Sequence, residues 1–350
     1  MRATPTPLQK NLRNLRNLRL DTTMKSRTLG NTNYKVSEIG FGAWAIGADW
    51  GEVTEEQAHE ALNAAFDAGM NFIDTADVYG LGRSEKIIGE VVKSRSETIT
   101  IATKMGRGSD QWDTGYDQIA KAAENSCKNL GVDALDLVQL HCIPTDTLKA
   151  GKVFESLQKV KDAGLIKHYG ASVETIDEAL FCIRNSSATT LQIIFNIFRQ
   201  RMITGMLSAA QVNNVGLIAR VPLASGLLTG KFSLEHHFTD DDHRNYNANG
   251  QVFNVGETFA GVPFTTGIKF AHEVDSILKD ECPGATLAQK SLRWILDHGA
   301  ISTVIPGAKS AQQAKENAAA ADLPRISKQA HAKLAALYEE KIDQEVRGAY

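Results

Sequence analysis

Short apolar runs alternate with amphipathic helical stretches eight times along this chain, and that alternation limits the fold more than any other feature. The runs are SEIGFGAW, NFIDTA, TITIATK, LDLVQLHC, IKHYGAS, TLQIIFNIF, VGLIARVPL and ISTVIPGA. Between them lie stretches such as TEEQAHEALNAAFDAG, where Thr54 and Gln57 have the spacing of a capping box and a glycine ends the helix. Thr175 and Glu178 open TIDEALFCIRN in the same way, and Val153, Leu157 and Val160 keep one face of VFESLQKVKDAG apolar. Strands joined through helices run parallel, because the crossover brings the chain back to its starting edge. Eight such units in 350 residues predict a closed (β/α)₈ barrel. It forms a single domain over residues 25–350, with a long loop after strand 7 and a last amphipathic helix, SKQAHAKLAALYEEK.

An open doubly wound sheet is the competing arrangement. The stretch GFGAWA fits the loose dinucleotide pattern G-x-G-x-x-A, but IGADWGEV after it does not open a helix. A pyrophosphate would then lack the helix N-terminus that such a site uses, so the match is set aside. The loop after strand 7 runs from about Ser233 to Pro263 and is rich in Asp, Asn, His and Gly. A structureless insertion of that length in a compact domain is usually functional or mobile. Its segment HHFTDDDH lacks diagnostic metal spacing and reads as a solvated polar loop.

The net charge of −3 and pI near 6.3 argue against a nucleic-acid or anionic-membrane partner. No apolar run approaches the roughly 18–20 residues that cross a bilayer. Cys127, Cys142, Cys182 and Cys282 form no C-x-x-C pair and have no metal spacing with histidine, as expected for reduced thiols of a cytoplasmic protein with no metal. Residues 1–24, with three NLR triplets, are basic and nearly free of acids. They read as a disordered extension, with organelle targeting as the other reading.

Barrel enzymes carry their chemistry at the C-terminal ends of strands. Strand 2 ends on Asp74, strand 3 on Lys104 and strand 4 on His141, and Tyr79 follows Asp74 on the next loop. Neighbouring strands lie about 4.8 Å apart, so these side chains can converge. A lysine ammonium beside a tyrosine lowers the phenol pKa, and an aspartate keeps a buried ammonium charged. A histidine there can hydrogen-bond a carbonyl oxygen. The set suits proton donation to a carbonyl oxygen as negative charge develops, with electrons delivered by a hydride-donating cofactor.

With FIDTADVYGLGRSEKIIG, IATK and LDLVQLH in view, the chain resembles the aldo-keto reductase superfamily from about residue 26 to residue 322. GLIKHYGAS, VPLASGLLTGK and VIPGAKSAQQAKENAAA resemble that family's later strand ends. The resemblance implies a (β/α)₈ barrel without metal that reduces aldehydes and ketones with NADPH, or runs the reverse oxidation. It implies a catalytic tetrad of Asp74, Tyr79, Lys104 and His141, with Tyr79 as proton donor. Ser172 and Gln192 match residues that hold the nicotinamide carboxamide, and Leu223 matches a contact near the pyrophosphate. Gly307, Lys309, Gln313, Glu316 and Asn317 match the residues that hold the adenosine end. Ser310 is the expected N-cap of the helix there, where phosphate is attracted. Lys309 favours NADP(H) over NAD(H), although Gln313 is neutral where many NADP-preferring members carry Arg.

Two positions depart from the family pattern. Val173 stands where many members have Asn. Arg220 replaces an aromatic that stacks on the nicotinamide, and either stacks itself or reaches a phosphate or an anionic substrate. Trp44, Trp50 and Trp112 are candidate walls of the substrate site, with packing as the other reading for Trp44 and Trp50. The expected partner is a small carbonyl or alcohol. The oligomeric state is not legible. Two further readings stay open: a nicotinamide-sensing regulatory subunit with little turnover, and an aldolase forming a Schiff base on Lys104.

Overall fold

A computed structural model describes residues 24–47, 50–51, 53–107 and 115–350. The extension expected over residues 1–24, apart from Met24, and the candidate wall Trp112 lie outside the described residues. Each of the eight apolar runs supplies one strand of a single parallel sheet: β3 (Phe41–Gly42), β4 (Phe72–Asp74), β5 (Thr100–Met105), β6 (Leu135–His141), β7 (Ile166–Ser172), β8 (Thr190–Ile194), β9 (Gly216–Arg220) and β10 (Ile301–Val304). Each strand pairs with its sequence neighbour. Isolated parallel bridges, Ile39 to Val304 and Gly42 to Gly307, join the first strand to the last and close the barrel. That seam is thin: its backbone hydrogen bonds are Gly40 N to Val304 O, Val304 N to Glu38 O and Gly42 N to Pro306 O.

The capping boxes form as the spacing predicts, at Thr54 with Gln57 and at Thr175 with Glu178. A third, Thr286 with Gln289, opens the helix Leu287–Leu296. Val153, Leu157 and Val160 are fully buried on the helix Lys152–Asp162. The last helix, Lys328–Leu337, packs on Phe264–Leu278.

One element is absent from the sequence reading. A hairpin of β1 (Ser26–Thr28) and β2 (Lys35–Ser37) covers the N-terminal mouth of the barrel. Its Leu29 and Val36 join Phe72, Ala102, Leu137 and Ile218 in the barrel interior, all fully buried. Filling that axis with apolar side chains contributes about 1.5–3 kcal/mol for each large one. Gly30 seats the hairpin: its φ is +53°, and an added Cβ would lie 2.3 Å from Gly216 N. Arg27 fastens it, donating to Glu38 at 2.8 Å and to the carbonyls of Leu296 and Ile301 at 2.6 and 2.7 Å.

The loop after strand 7 is more ordered than its composition suggests. It contains the short helix His243–Tyr246 and the turns Val255–Glu257 and Phe259–Gly261. The segment HHFTDDDH is not simply solvated: Asp242 and His243 are buried. Among the described residues no helix is long and apolar enough to cross a membrane.

Candidate active site

Sheet register brings the predicted strand-end residues to one level. Lys104 on β5 pairs with Gln139 on β6. His141 then pairs with Ser172, and Ser172 with Gln192, across β6, β7 and β8. Lys104 Nζ donates to Asp74 Oδ2 at 2.6 Å and to the carbonyl of Thr75 at 3.0 Å, and lies 3.2 Å from the Tyr79 hydroxyl. The other Asp74 oxygen accepts from Gln192 at 2.7 Å and from Gln139 at 3.1 Å. Four predicted residues, Asp74, Tyr79, Lys104 and His141, are thus brought together.

Tyr79 is placed by the loop after β4. The loop turns back through positive φ at Gly80, Leu81 and Gly82. Gly47 lets it approach: a Cβ there would lie 2.8 Å from Tyr79 Cβ. The phenol ring stacks on Trp44 at 6.0 Å and meets His141 edge-on at 5.8 Å.

Burial and charge set the protonation states. Burial pulls the Lys104 ammonium down, but Asp74 and the oxygen of Tyr79 outweigh it and hold it above the usual lysine value. Lys104 therefore stays protonated, which removes the neutral amine that a Schiff-base aldolase requires. For Tyr79 the sequence reading needs correcting. Lys104 does lower the phenol pKa, but burial raises it more, so the net direction is up. Burial, then the charges of Arg107, Lys104 and Arg220, hold His141 well below the ordinary histidine value, so the ring is neutral near pH 7.

A cavity of about 440 Å³ opens from Asp74, Tyr79 and His141. It extends past Gln192, Arg220 and Leu223 to Gly307, Lys309, Gln313, Glu316 and Asn317. Ser310 caps the helix Ala311–Ala318, accepting from Gln313 N at 3.3 Å. Ser172 is buried, with its Oγ 3.6 Å from Cys142 Sγ. Several polar groups have structural partners. Gln192 holds Asp74, Asn317 donates to Gly307 O at 3.1 Å, Gln313 accepts from Lys309 N at 2.7 Å, and Glu316 accepts from Gln312. Lys309 Nζ contacts the Trp50 carbonyl. Arg220 is pinned beside Glu257 at 3.5 Å and Cys142 at 3.4 Å.

Trp44 and Trp50 both line the cavity and meet edge to face, with the His243 ring 4.6 and 4.4 Å from them. The loop after strand 7 and the residues just before it supply lining that sequence reasoning missed. Lys231, Phe232, His236 and Arg244 line the cavity, and Arg244 lies 4.8 Å over Trp50 while Asp242 holds it at 2.5 Å. Lys231, Arg244 and Lys309 thus bring three cations to one cavity, and Lys309 is pushed below the usual lysine value by burial and then by Arg244. Such a set fits a phosphate-bearing ligand. Arg107 and Glu257 are the other omissions. Arg107 donates to Glu257 at 2.8 Å and lies 2.8 Å from His141 Nε2. No hydrophobic period marks either residue; a cation three positions past Lys104 is the one available hint.

Comparison with known proteins identifies the family. The family model described as "Aldo/keto reductase family" matches residues 38–339. The NADP(+) aldo-keto reductase yakc of Schizosaccharomyces pombe is 30% identical over 83% of this chain and 85% of its own length. A probable voltage-gated potassium channel subunit beta of Oryza sativa is 29% identical, over 91% of this chain and 98% of its own. The solved glycerol dehydrogenase of Gluconobacter oxydans superposes with a TM-score of 0.75 at 25% identity, covering 94% of this chain and 99% of that one. The match spans the whole barrel, including every strand end that carries the site, and on that ground the chain belongs to the aldo/keto reductase family.

Proposed function

We propose that this protein reduces aldehyde or ketone carbonyls to alcohols, or runs the reverse oxidation, with NADP(H) as hydride carrier and Tyr79 as proton donor. One observation carries the reading: the Tyr79 hydroxyl lies 3.2 Å from Lys104 Nζ, which Asp74 holds at 2.6 Å. Burial keeps the phenol protonated, which is the form a reduction needs. A reduced nicotinamide held in the cavity lined by Gln192, Arg220 and Leu223 would supply the hydride, and with it the hydrogen and electron pair that convert the carbonyl. As the carbon–oxygen π bond breaks, the oxygen takes the Tyr79 proton. Lys104 then stabilises the phenolate, and Asp74 keeps Lys104 in place.

The cation cluster of Lys231, Arg244 and Lys309 supports a phosphate-bearing ligand in the cavity. Gly307 and the capped helix that begins at Ala311 would support its adenosine end. NADP(H) rather than NAD(H) is favoured by these cations and by the similarity to the NADP(+) reductase of Schizosaccharomyces pombe. The small carbonyl or alcohol would sit against the Tyr79 hydroxyl, with Trp44 and Trp50 among the walls of the same cavity.

A second reading, a nicotinamide-sensing subunit with little turnover, is favoured by the similarity to a probable channel subunit beta. The test is NADPH consumption with an aromatic aldehyde, comparing the native protein with Tyr79→Phe. General acid catalysis predicts a loss of about 10²–10⁴-fold with NADPH binding retained. Equal rates in the two proteins reject Tyr79 as the acid. Tight NADPH binding with no turnover across a wide carbonyl panel favours the sensor.

A further inference from the structure

We propose that Arg107 is a further catalytic residue: its guanidinium, and not the His141 imidazole, donates the hydrogen bond that polarises the reacting carbonyl, and it selects substrates with a carboxylate next to that carbonyl. This rests on the carbonyl-reducing reading above.

The argument begins with donors and acceptors. Arg107 Nη1 lies 2.8 Å from His141 Nε2. A guanidinium only donates and does not lose its proton in a protein. Nε2 must therefore present its lone pair, and the neutral ring carries its proton on Nδ1. That nitrogen is buried and has no hydrogen-bond partner among the described residues. His141 would gain nothing locally from this tautomer, so Arg107 imposes it. In this arrangement Nε2 has no hydrogen to give a substrate oxygen.

Arg107 can supply what His141 cannot. Its Nη2 is held by Glu257 at 2.8 Å, and its guanidinium lies 4.9 Å over the Phe253 ring. The side chain keeps 19% exposure, so it is fixed without being sealed off. Its charge also acts on the Tyr79 hydroxyl, so guanidinium, phenol and imidazole share one small space. Among the described residues, contacts to His141 and Glu257 leave further N–H donors of Arg107 unused.

The charge balance points to an anion. Glu257, 2% exposed, serves both Arg107 at 2.8 Å and Arg220 at 3.5 Å. Two guanidinium groups thus share one carboxylate. Glu174 is the other acid facing Arg220, and burial and then Glu257 push its carboxyl toward the neutral form. Among the described residues this leaves an under-compensated cation beside the reacting centre, and such a cation attracts negative charge. A carboxylate attached to the carbonyl carbon presents oxygens that a guanidinium fork can take while it also reaches the carbonyl oxygen. The class is 2-oxo acids in reduction and 2-hydroxy acids in oxidation. Hydride still goes to the carbonyl carbon and the proton still comes from Tyr79, while Arg107 stays protonated throughout.

The test pairs phenylglyoxylate with its methyl ester, which keeps the ketone and removes the charge. The native protein should favour the acid. Arg107→Met should lower kcat/KM for the acid by about a hundredfold or more, and for the ester by about tenfold. Arg107→Lys, which keeps the charge and loses the fork, should fall between and guards against a Met variant that does not fold. A preference for the ester in the native protein, or an unchanged acid-to-ester ratio in Arg107→Met, overturns the proposal.

A second arm needs no turnover. In the full chain labelled with ¹⁵N-histidine, His141 should carry its proton on Nδ1, and Arg107→Met should move population to Nε2. A native His141 protonated on Nε2 overturns the assignment. If the native protein reduces neither compound, the wide carbonyl panel decides the carbonyl-reducing reading separately, and titration with phenylglyoxylate decides the anion site. A shift of the His141 ring nitrogens in the native protein, lost in Arg107→Met, supports an anion site on Arg107, and no shift in the native protein overturns it.

Discussion

Replacing Lys104 by methionine tests how the site is held together. The ammonium is 1% exposed and its partner Asp74 is 4% exposed, so the pair is effectively dry. Lys104→Met removes a donor with contacts to Asp74 at 2.6 Å, Thr75 O at 3.0 Å and Tyr79 at 3.2 Å. Asp74 is then left with the amides of Gln192 at 2.7 Å and Gln139 at 3.1 Å and no cation. Stranding one member of a buried pair costs about 3–5 kcal/mol. Replacing both, with Lys104→Met and Asp74→Leu, removes the stranded charge and should restore most of that stability. Neither variant should reduce carbonyls, because both lack the ammonium that stabilises the phenolate. Urea unfolding followed by circular dichroism and tryptophan fluorescence reads the difference. A single variant within about 1 kcal/mol of native at neutral pH, or a double variant no more stable than the single, refutes the reasoning.

Other consequences are testable more briefly. Gly47→Ala places a Cβ 2.8 Å from Tyr79 Cβ, so the phenol must move; reductase activity should drop about tenfold or more while NADPH affinity, read by fluorescence, stays near native. The log of the reduction rate should stay flat through neutral pH and fall only above about 10, because Tyr79 is raised from its ordinary value of 10.0; a fall centred near pH 7 would contradict this. At Glu257, burial opposes ionisation, but Arg107 and Arg220 overcome it and bring the carboxyl from 4.5 to about 2. The stabilisation of about 3 kcal/mol that follows is complete above about pH 4.5 and lost as pH falls toward 2, and Glu257→Gln should flatten that limb of an acid titration.

The barrel was legible because each strand is a short apolar run between helix signals, a pattern with period and punctuation. Asp74, Lys104 and His141 were legible because an ionisable side chain at the end of such a run is unusual. The hairpin of β1 and β2 was not, since segments of three residues each are too short to show alternation. Arg107 and Glu257 escaped for another reason. They stand 150 positions apart on different loops, and what each does depends on meeting the other at 2.8 Å. The net pKa of Tyr79 was misjudged because composition reveals the neighbouring ammonium but not the depth of burial. The loop after strand 7 was misjudged likewise. Its polar residues look solvated in sequence, yet Asp242, His243 and Asn247 turn inward.

The seam of the barrel and its cavity are the same place. Gly42 and Ala43 line the cavity from the first strand's side, and Ile305 and Pro306 line it from the last. Anything that fills the cavity therefore works as a suture across a joint of the sheet held by two isolated bridges. Binding free energy is added to the closed barrel and withheld from any form in which that joint gapes. Occupancy should then register as slower hydrogen exchange at Gly40, Gly42 and Val304, and as a rise in melting temperature with ligand concentration.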